Sequence, residues 1–206
     1  MQMYVFSRYA HRRNPPRSRN TMEALLIVVI LVLLVVFYAI AIFNKLVKNK
    51  NMVAEGWSRV DVQLKRRANL IPHLVSTVEI YMDHEGELLE NVTSLRTRSL
   101  DFTTPKEQGQ TAGLLATALV RVFAVAENYP ELKANTDFSD LHQSLDKIEE
   151  QIQLARRHYN DAARSLNILI ESFPSNLVAN QFRFQQADYF EIEKAEDRAN
   201  PKVELG

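Results

Sequence analysis

Residues 24–43 read ALLIVVILVLLVVFYAIAIF, twenty residues without a charge, bounded by Glu23 on one side and Asn44-Lys45 on the other. At about 1.5 Å rise per residue a helix of this length spans about 30 Å, the hydrocarbon thickness of a bilayer. Lipid offers the backbone no hydrogen-bonding partner, so a segment buried there must satisfy its own N–H and C=O groups as a helix. The sequence therefore predicts a transmembrane helix over 22–44, and everything after it is expected to hang from that anchor.

Working outward, residues 1–21 read as a disordered basic tail carrying Arg8, Arg12, Arg13, Arg17 and Arg19 around Pro15-Pro16. Such a run is ordinarily solvated or held against lipid headgroups. A cleaved signal peptide is the competing reading, because Ala39-Ile40-Ala41 fits a small-x-small site. The apolar run, however, exceeds the roughly 7–15 residues of a signal-peptide core. Lys45, Lys48, Lys50 and Arg59 follow the anchor and nearly balance the five arginines before it. Orientation under the positive-inside rule then depends on the start of translation. From Met1 the tail pulls toward the cytoplasm and the rest of the chain faces outward; from Met22 the tail vanishes and the rest is cytoplasmic.

The chain holds 25 basic and 25 acidic residues and nets zero, but the balance is split. Residues 1–43 carry a surplus of four positive charges, and residues 44–206 a deficit of four. The part beyond the anchor, about 160 residues, is long enough for one domain with a core. Its slight acidity argues against nucleic acid, which calls for a basic patch or stripe. With no cysteine there are no disulfides, thiolate metal sites or thiol nucleophiles. Five glycines leave no phosphate-cradling loop, and neither GxGxxG nor GxxxxGK[ST] occurs.

Beyond the anchor the pattern stays helical. Val53, Trp57, Val60, Leu64, Ile71, Leu74, Val78 and Tyr81 keep a heptad register broken only at Arg67. Pro72 removes one helical hydrogen bond and should kink this helix near Ala68–Asn69 without ending it. Lys65-Arg66-Arg67 reads as a solvated face, with Asp61 paired to Lys65, or as a contact for anionic lipid or a partner. Arg67, at a core position, is expected to pair with a carboxylate from another helix. A second helix places Leu88 or Leu89, Val92 and Leu95 inward. Thr103 or Thr104 before Pro105 reads as the cap of a third, running from about Lys106 to Asn128. Its apolar face is Leu115, Leu119, Val122 and Ala126, and its alanines with Gly113 suggest close helix approach.

The most regular stretch follows. Phe138, Leu141, Leu145, Ile148, Ile152, Ala155, Tyr159, Ala162, Leu166, Leu169 and Phe173 alternate steps of three and four, about 50 Å of helix. It predicts antiparallel packing on the 53–81 helix, or a coiled coil with another chain. Pro174 should end it, Asn176–Phe190 should form a short helix with Leu177, Phe182, Phe184 and Phe190 on it, and residues 194–206 read as an acidic disordered tail.

Chemistry is sparse. A di-metal bundle needs Glu-x-x-His, and the residues three before His73, His84, His142 and His158 are Leu70, Tyr81, Ser139 and Ala155. His84-Glu85 does not continue into HExxH, and no GxSxG elbow occurs. Glu85, Glu87 and Glu90 could face a cation or a partner, but read first as the acidic start of a helix. No catalytic residue, metal or cofactor is expected.

The residues carry a resemblance. NMVAEGWSRVDVQLKRRANLIPHLVSTVEIYMDHEGELLENVTSLR resembles the signature stretch of the LemA family, ENYPELKANTDFSDLHQSLDKIEEQIQLARRHYNDAARSLN its second signature, and FPSNLVANQFRFQQADYFE the closing one. The likeness is collinear over roughly residues 22–193. His73 stands where Asn is usual and Leu166 where Tyr is common, and members usually begin near the position of Met22. The resemblance implies a short N-terminal segment, one membrane helix and a soluble antiparallel helical bundle over 45–193, with no catalytic residue to transfer. Relatives include magnetosome-membrane proteins, and family genes often neighbour a membrane zinc metalloprotease.

The expectation is an all-α, non-enzymatic, single-pass protein of the bacterial cell membrane, with an N-terminal transmembrane helix and an antiparallel bundle of long heptad-patterned helices. Trp57, Leu64, Pro72, Leu145, Ile152 and Tyr159 are read as structural core. Lys65, Arg66, Arg67, Glu85, Glu87 and Glu90 are the candidate contacts. The bundle is read as a scaffold that self-associates at the membrane, or as an adaptor of another membrane protein, such as a metalloprotease.

Overall fold

The computed structural model describes residues 17–82, 84–101 and 104–191. The rest of the basic tail, Phe102, Thr103 and the expected acidic tail lie outside them. Every regular element among the described residues is a helix. The chain divides into two units, Met1–Phe43 and Asn44–Gly206.

The first helix, α1, runs without interruption over Arg17–Glu79, 63 residues. It starts inside the stretch read as tail. In the first unit every side chain of residues 22–38 is exposed, although nearly all are apolar. In the second unit the face of α1 changes character. Val60, Leu64, Ile71, Leu74 and Val78 are buried, with Arg67 among them. Pro72 lies inside the helix, which continues to Glu79. Its ring is exposed, so Pro72 is not core as expected. It is one residue, about 100° of helical rotation, from Ile71 on the buried stripe.

Helix α2 spans Gly86–Arg98 and buries Leu89, Val92 and Leu95. Helix α3 spans Pro105–Ala126 and is capped by Thr104, whose hydroxyl accepts from the Glu107 amide at 3.4 Å. It buries Leu115, Leu119, Val122 and Ala126 as its periodicity predicts. Helix α3 is also long and apolar enough to cross a membrane, but half of its apolar window is buried, which marks a core helix. A short helix, α4 (Pro130–Lys133), turns the chain and buries Leu132.

Helix α5 covers Thr136–Glu171, with Asn135 as its cap accepting from the Phe138 amide at 3.0 Å. It runs antiparallel to α1. Asn135 Nδ2 donates to the Tyr81 hydroxyl at 3.3 Å, Arg67 meets Glu149, and Gly56 faces Tyr159. The heptad face of α5 thus packs against α1 within the chain, the antiparallel arrangement that its pattern predicts. One core joins Ile71, Leu74, Leu89, Val92, Leu115, Leu119, Phe138 and Leu145 from four helices. A second joins Val60, Leu64, Ala112, Ile152, Tyr159 and Phe190.

The last described segment, residues 173–191, departs from expectation. Helix α6 is only Ser175–Gln181, and residues 184–190 are irregular, not helical. Phe173, expected as the last heptad residue, lies past the end of α5 and is exposed, as are Leu177 and Phe182. Helix α6 stops in a Schellman turn, in which the Phe184 amide donates to Ala179 O at 2.9 Å and the Arg183 amide to Asn180 O at 3.2 Å. Arg183 takes the left-handed conformation there, φ 55°, at the position where Gly is usual.

Candidate interaction site

The six candidate contact residues do not form one surface. Lys65 and Arg66 are exposed on α1, and Lys65 Nζ pairs with Asp61 Oδ2 at 2.7 Å as the i,i+4 spacing predicts. Arg67 points the other way and is only 2 % exposed. Its Nη1 donates to Glu149 Oε2 at 2.9 Å and its Nη2 to Ala112 O at 3.2 Å, while Nε meets no acceptor among the described residues. Burial pushes the guanidinium pKa down and Glu149 pushes it back up. Arg67 is therefore the electrostatic tie between α1, α3 and α5, and no outside partner can reach it.

Glu85, Glu87 and Glu90 lie at the start of α2. Glu87 is in the first turn, where the helix dipole favours it, and both Glu87 and Glu90 are exposed. Glu90 joins Glu79 of α1 along a groove of about 600 Å³ whose apolar lining is Val75, Met82 and Leu89. The groove has acidic and hydroxyl groups at its edges and an apolar floor, which suits a basic amphipathic segment. Among the described residues no group of three or more His, Asp or Glu could hold a metal ion. His142 is used in packing, its ring stacked on Phe123 at 4.0 Å between centroids and its Nε2 3.6 Å from Asp146.

The most elaborate polar arrangement was not legible as a site. Residues 184–191 form a strap that returns along α5 and is gripped by its side chains. Asn167 Nδ2 donates to Ala187 O at 3.0 Å and its Oδ1 accepts from the Ala187 amide at 2.8 Å. One helical heptad earlier, Asn160 does the same to Phe190, at 3.1 and 2.9 Å. Between them the Tyr159 hydroxyl donates to Asp188 O at 2.7 Å. An Asn amide presents a donor and an acceptor in the spacing of a peptide group, so each can replace a strand neighbour. The Phe190 ring closes the second core, 6.1 Å from Trp57, which packs edge-on against Tyr159 at 5.4 Å. Burial, with the charge of Asp188 adding to it, raises the Tyr159 pKa to about 12.

Two glycines make room. A Cβ on Gly56 would lie 3.1 Å from Tyr159 Cα, and one on Gly109 would run into the main chain of Glu191. Gly113, expected to mark the close approach, is half-buried. Of the residues read as core, Leu64, Leu145, Ile152 and Tyr159 are buried, and Trp57 is half-buried against the second core.

Comparison with known proteins bears on this architecture. Protein LemA of Metamycoplasma hominis is 26% identical over 157 residues, covering 74% of this chain and 70% of the relative. Magnetosome protein MamQ 2 of Paramagnetospirillum magneticum is 25% identical over 224 residues, covering 95% of this chain and 80% of the relative. Magnetosome protein MamQ of Magnetospirillum gryphiswaldense is 23% identical over 166 residues, covering 68% and 61%. None of these names states a chemical activity. The model of the LemA family matches residues 56–205, which span α5, the Asn-gripped strap and most of the bundle, and this chain belongs to the LemA family.

Proposed function

We propose that the protein is a non-enzymatic, single-pass protein of a bacterial membrane whose helical bundle serves as a scaffold or self-associating module at the membrane surface. The observation that carries this reading is the first unit. From Leu25 to Phe37 every side chain is large, apolar and exposed on all sides of the helix. An apolar surface that size is untenable in water and natural in lipid. The relatives named as magnetosome proteins support a membrane setting. In this reading the bundle supplies surface and stiffness, and Arg67 belongs to its frame.

The test uses the absence of cysteine. A single Gln143→Cys, on the exposed face of α5, is labelled in intact cells with a membrane-impermeant maleimide, and membranes are washed with alkaline carbonate. Retention in the washed membrane is expected; release would refute the anchor. Labelling before or after lysis then reports the side of the bundle. Crosslinking in membranes should give species larger than one chain, and a monomer under every condition would remove the self-association part.

A second reading, an adaptor for another membrane protein such as a protease, is favoured by the acidic-rimmed groove at Glu79 and Glu90. Arg66→Glu, Glu87→Lys and Glu90→Lys variants should then lose a partner in pull-downs. Unchanged capture in all three would refute it.

A further inference from the structure

The corner between α5 and α6 contradicts the rule that places apolar residues inside. Helix α6 buries its small residues, Ser175 and Ala179, and turns Leu177 outward, 61 % exposed. Phe173 before it and Phe182 after it are 81 % and 59 % exposed. Single exposed apolar residues are ordinary, but three within ten residues, two of them phenylalanines, are not.

Their position along the bundle says what covers them. Gly56 of α1 faces Tyr159 of α5, and the two helices are antiparallel. Moving twelve residues along α5 from Tyr159 reaches Glu171, the end of that helix. Moving twelve residues back along α1 from Gly56 reaches Asn44. Both steps rise about 18 Å, so the end of α5 is level with the start of the second unit. Leu46, two residues on, is fully buried, so the bundle does cover α1 at that level. Asn44 directly follows Phe43, the last residue of the apolar run. The exposed corner thus sits at the end of the bundle from which the chain continues into the apolar run. The headgroup zone extends roughly 5–8 Å beyond the hydrocarbon on each side, deep enough to receive side chains at this level.

We propose that Phe173, Leu177 and Phe182 form a second, interfacial membrane contact, a foot whose side chains enter the headgroup–acyl boundary. The occupant of this surface is lipid. Apolar and aromatic side chains are stable in that zone, and Lys45 and Lys48 on the same end of the bundle meet anionic headgroups. The foot gives the chain membrane contacts at two places separated in sequence by about 130 residues. This inference rests on the membrane reading above.

The test is depth-dependent quenching of the full-length protein in phosphatidylcholine–phosphatidylglycerol vesicles. Single cysteines replace Phe173, Leu177, Val35 in the apolar run, or Ile80 at the opposite end of the bundle, each exposed, so no core is opened. Each carries a nitrobenzoxadiazole label, and the lipids carry spin labels both just below the headgroup and in the middle of the acyl chain. Labels at 173 and 177 are expected to lose most of their emission to the spin labels, as does 35, while 80 keeps it. If 35 is quenched but 173 and 177 behave like 80, the foot is refuted while the anchor stands. If 35 is also unquenched, the anchor fails and the foot with it. Emission at 173 that is blue-shifted yet unquenched would mean that a second chain covers the corner, which also overturns the proposal.

Discussion

Asn160 and Phe190 exchange two hydrogen bonds, the Phe190 amide donating to Asn160 Oδ1 at 2.9 Å and Asn160 Nδ2 donating to the Phe190 carbonyl at 3.1 Å. A helix side chain thereby does for the strap what a neighbouring strand does in a sheet. Phe190 is fully buried, so both main-chain groups would be left without water if the amide were lost.

Asn160→Ala should therefore cost about 1–3 kcal/mol, more than a surface hydrogen bond, because the desolvated groups stay unpaired. Amide hydrogen exchange checks it. The Phe190 and Ala187 amides are expected to be protected in the parent protein, and both should exchange rapidly in the variant if the strap lifts as a unit.

The Arg67–Glu149 pair gives an asymmetric expectation. Glu149→Ala leaves a buried cation without its counter-charge and should destabilise the bundle by about 3 kcal/mol. Arg67→Met/Glu149→Ala removes both charges and fills the space with an apolar chain, and should recover most of that loss. Urea denaturation midpoints of the detergent-solubilised protein test this, and a double variant no better than Glu149→Ala would show that the guanidinium geometry, not charge, holds the three helices.

Tyr159 predicts a loss of stability at high pH. Its folded pKa is raised to about 12 by burial and by Asp188, against about 10 in an unfolded chain. The folded state thus holds the proton longer, and the contribution is full below about pH 10 and lost as pH rises toward 12. The difference is on the order of 2 kcal/mol. Tyr159→Phe cannot ionise, so the parent should lose stability faster than the variant between about pH 10 and 12, read as the difference between their thermal midpoints at each pH.

Gly109 and Arg183 give opposite signs for substitutions that propensity alone would rank the other way. Gly109→Ala gains about 1 kcal/mol of helix propensity in α3. The new Cβ meets main chain at Glu191, which cannot rotate away, so net destabilisation and faster exchange at Phe190 are expected. Arg183→Gly relieves a left-handed residue in the turn after α6 and should stabilise by up to about 1 kcal/mol. Thermal midpoints of the two variants should move in opposite directions.

Much of the fold is a consequence of sequence alone. A twenty-residue uncharged run and heptad steps at Val60, Leu64, Ile71 and Leu74, then at Leu145 through Leu166, fix helices and the faces they bury, because periodicity is a local property of the chain. The same register singled out Arg67 as a charge in need of a partner. Which carboxylate answers it was a matter of tertiary structure, since Glu149 is 82 residues away. Pro72 is expected in the core but is exposed, since the residue next to Ile71 in sequence is turned off the buried face. Nothing between Asn176 and Phe190 breaks a helix, so the sequence predicts one there; the turn is made by Arg183, without a glycine, and the strap beyond it is held by Asn160, Asn167 and Tyr159. Those side chains meet Ala187 and Phe190 across 20 and 30 residues of sequence, so the contacts exist only once the chain has folded back along α5. Hydrogen bonds of that kind have no period in the sequence, and so the placement of the chain's last described segment belonged to the tertiary structure alone.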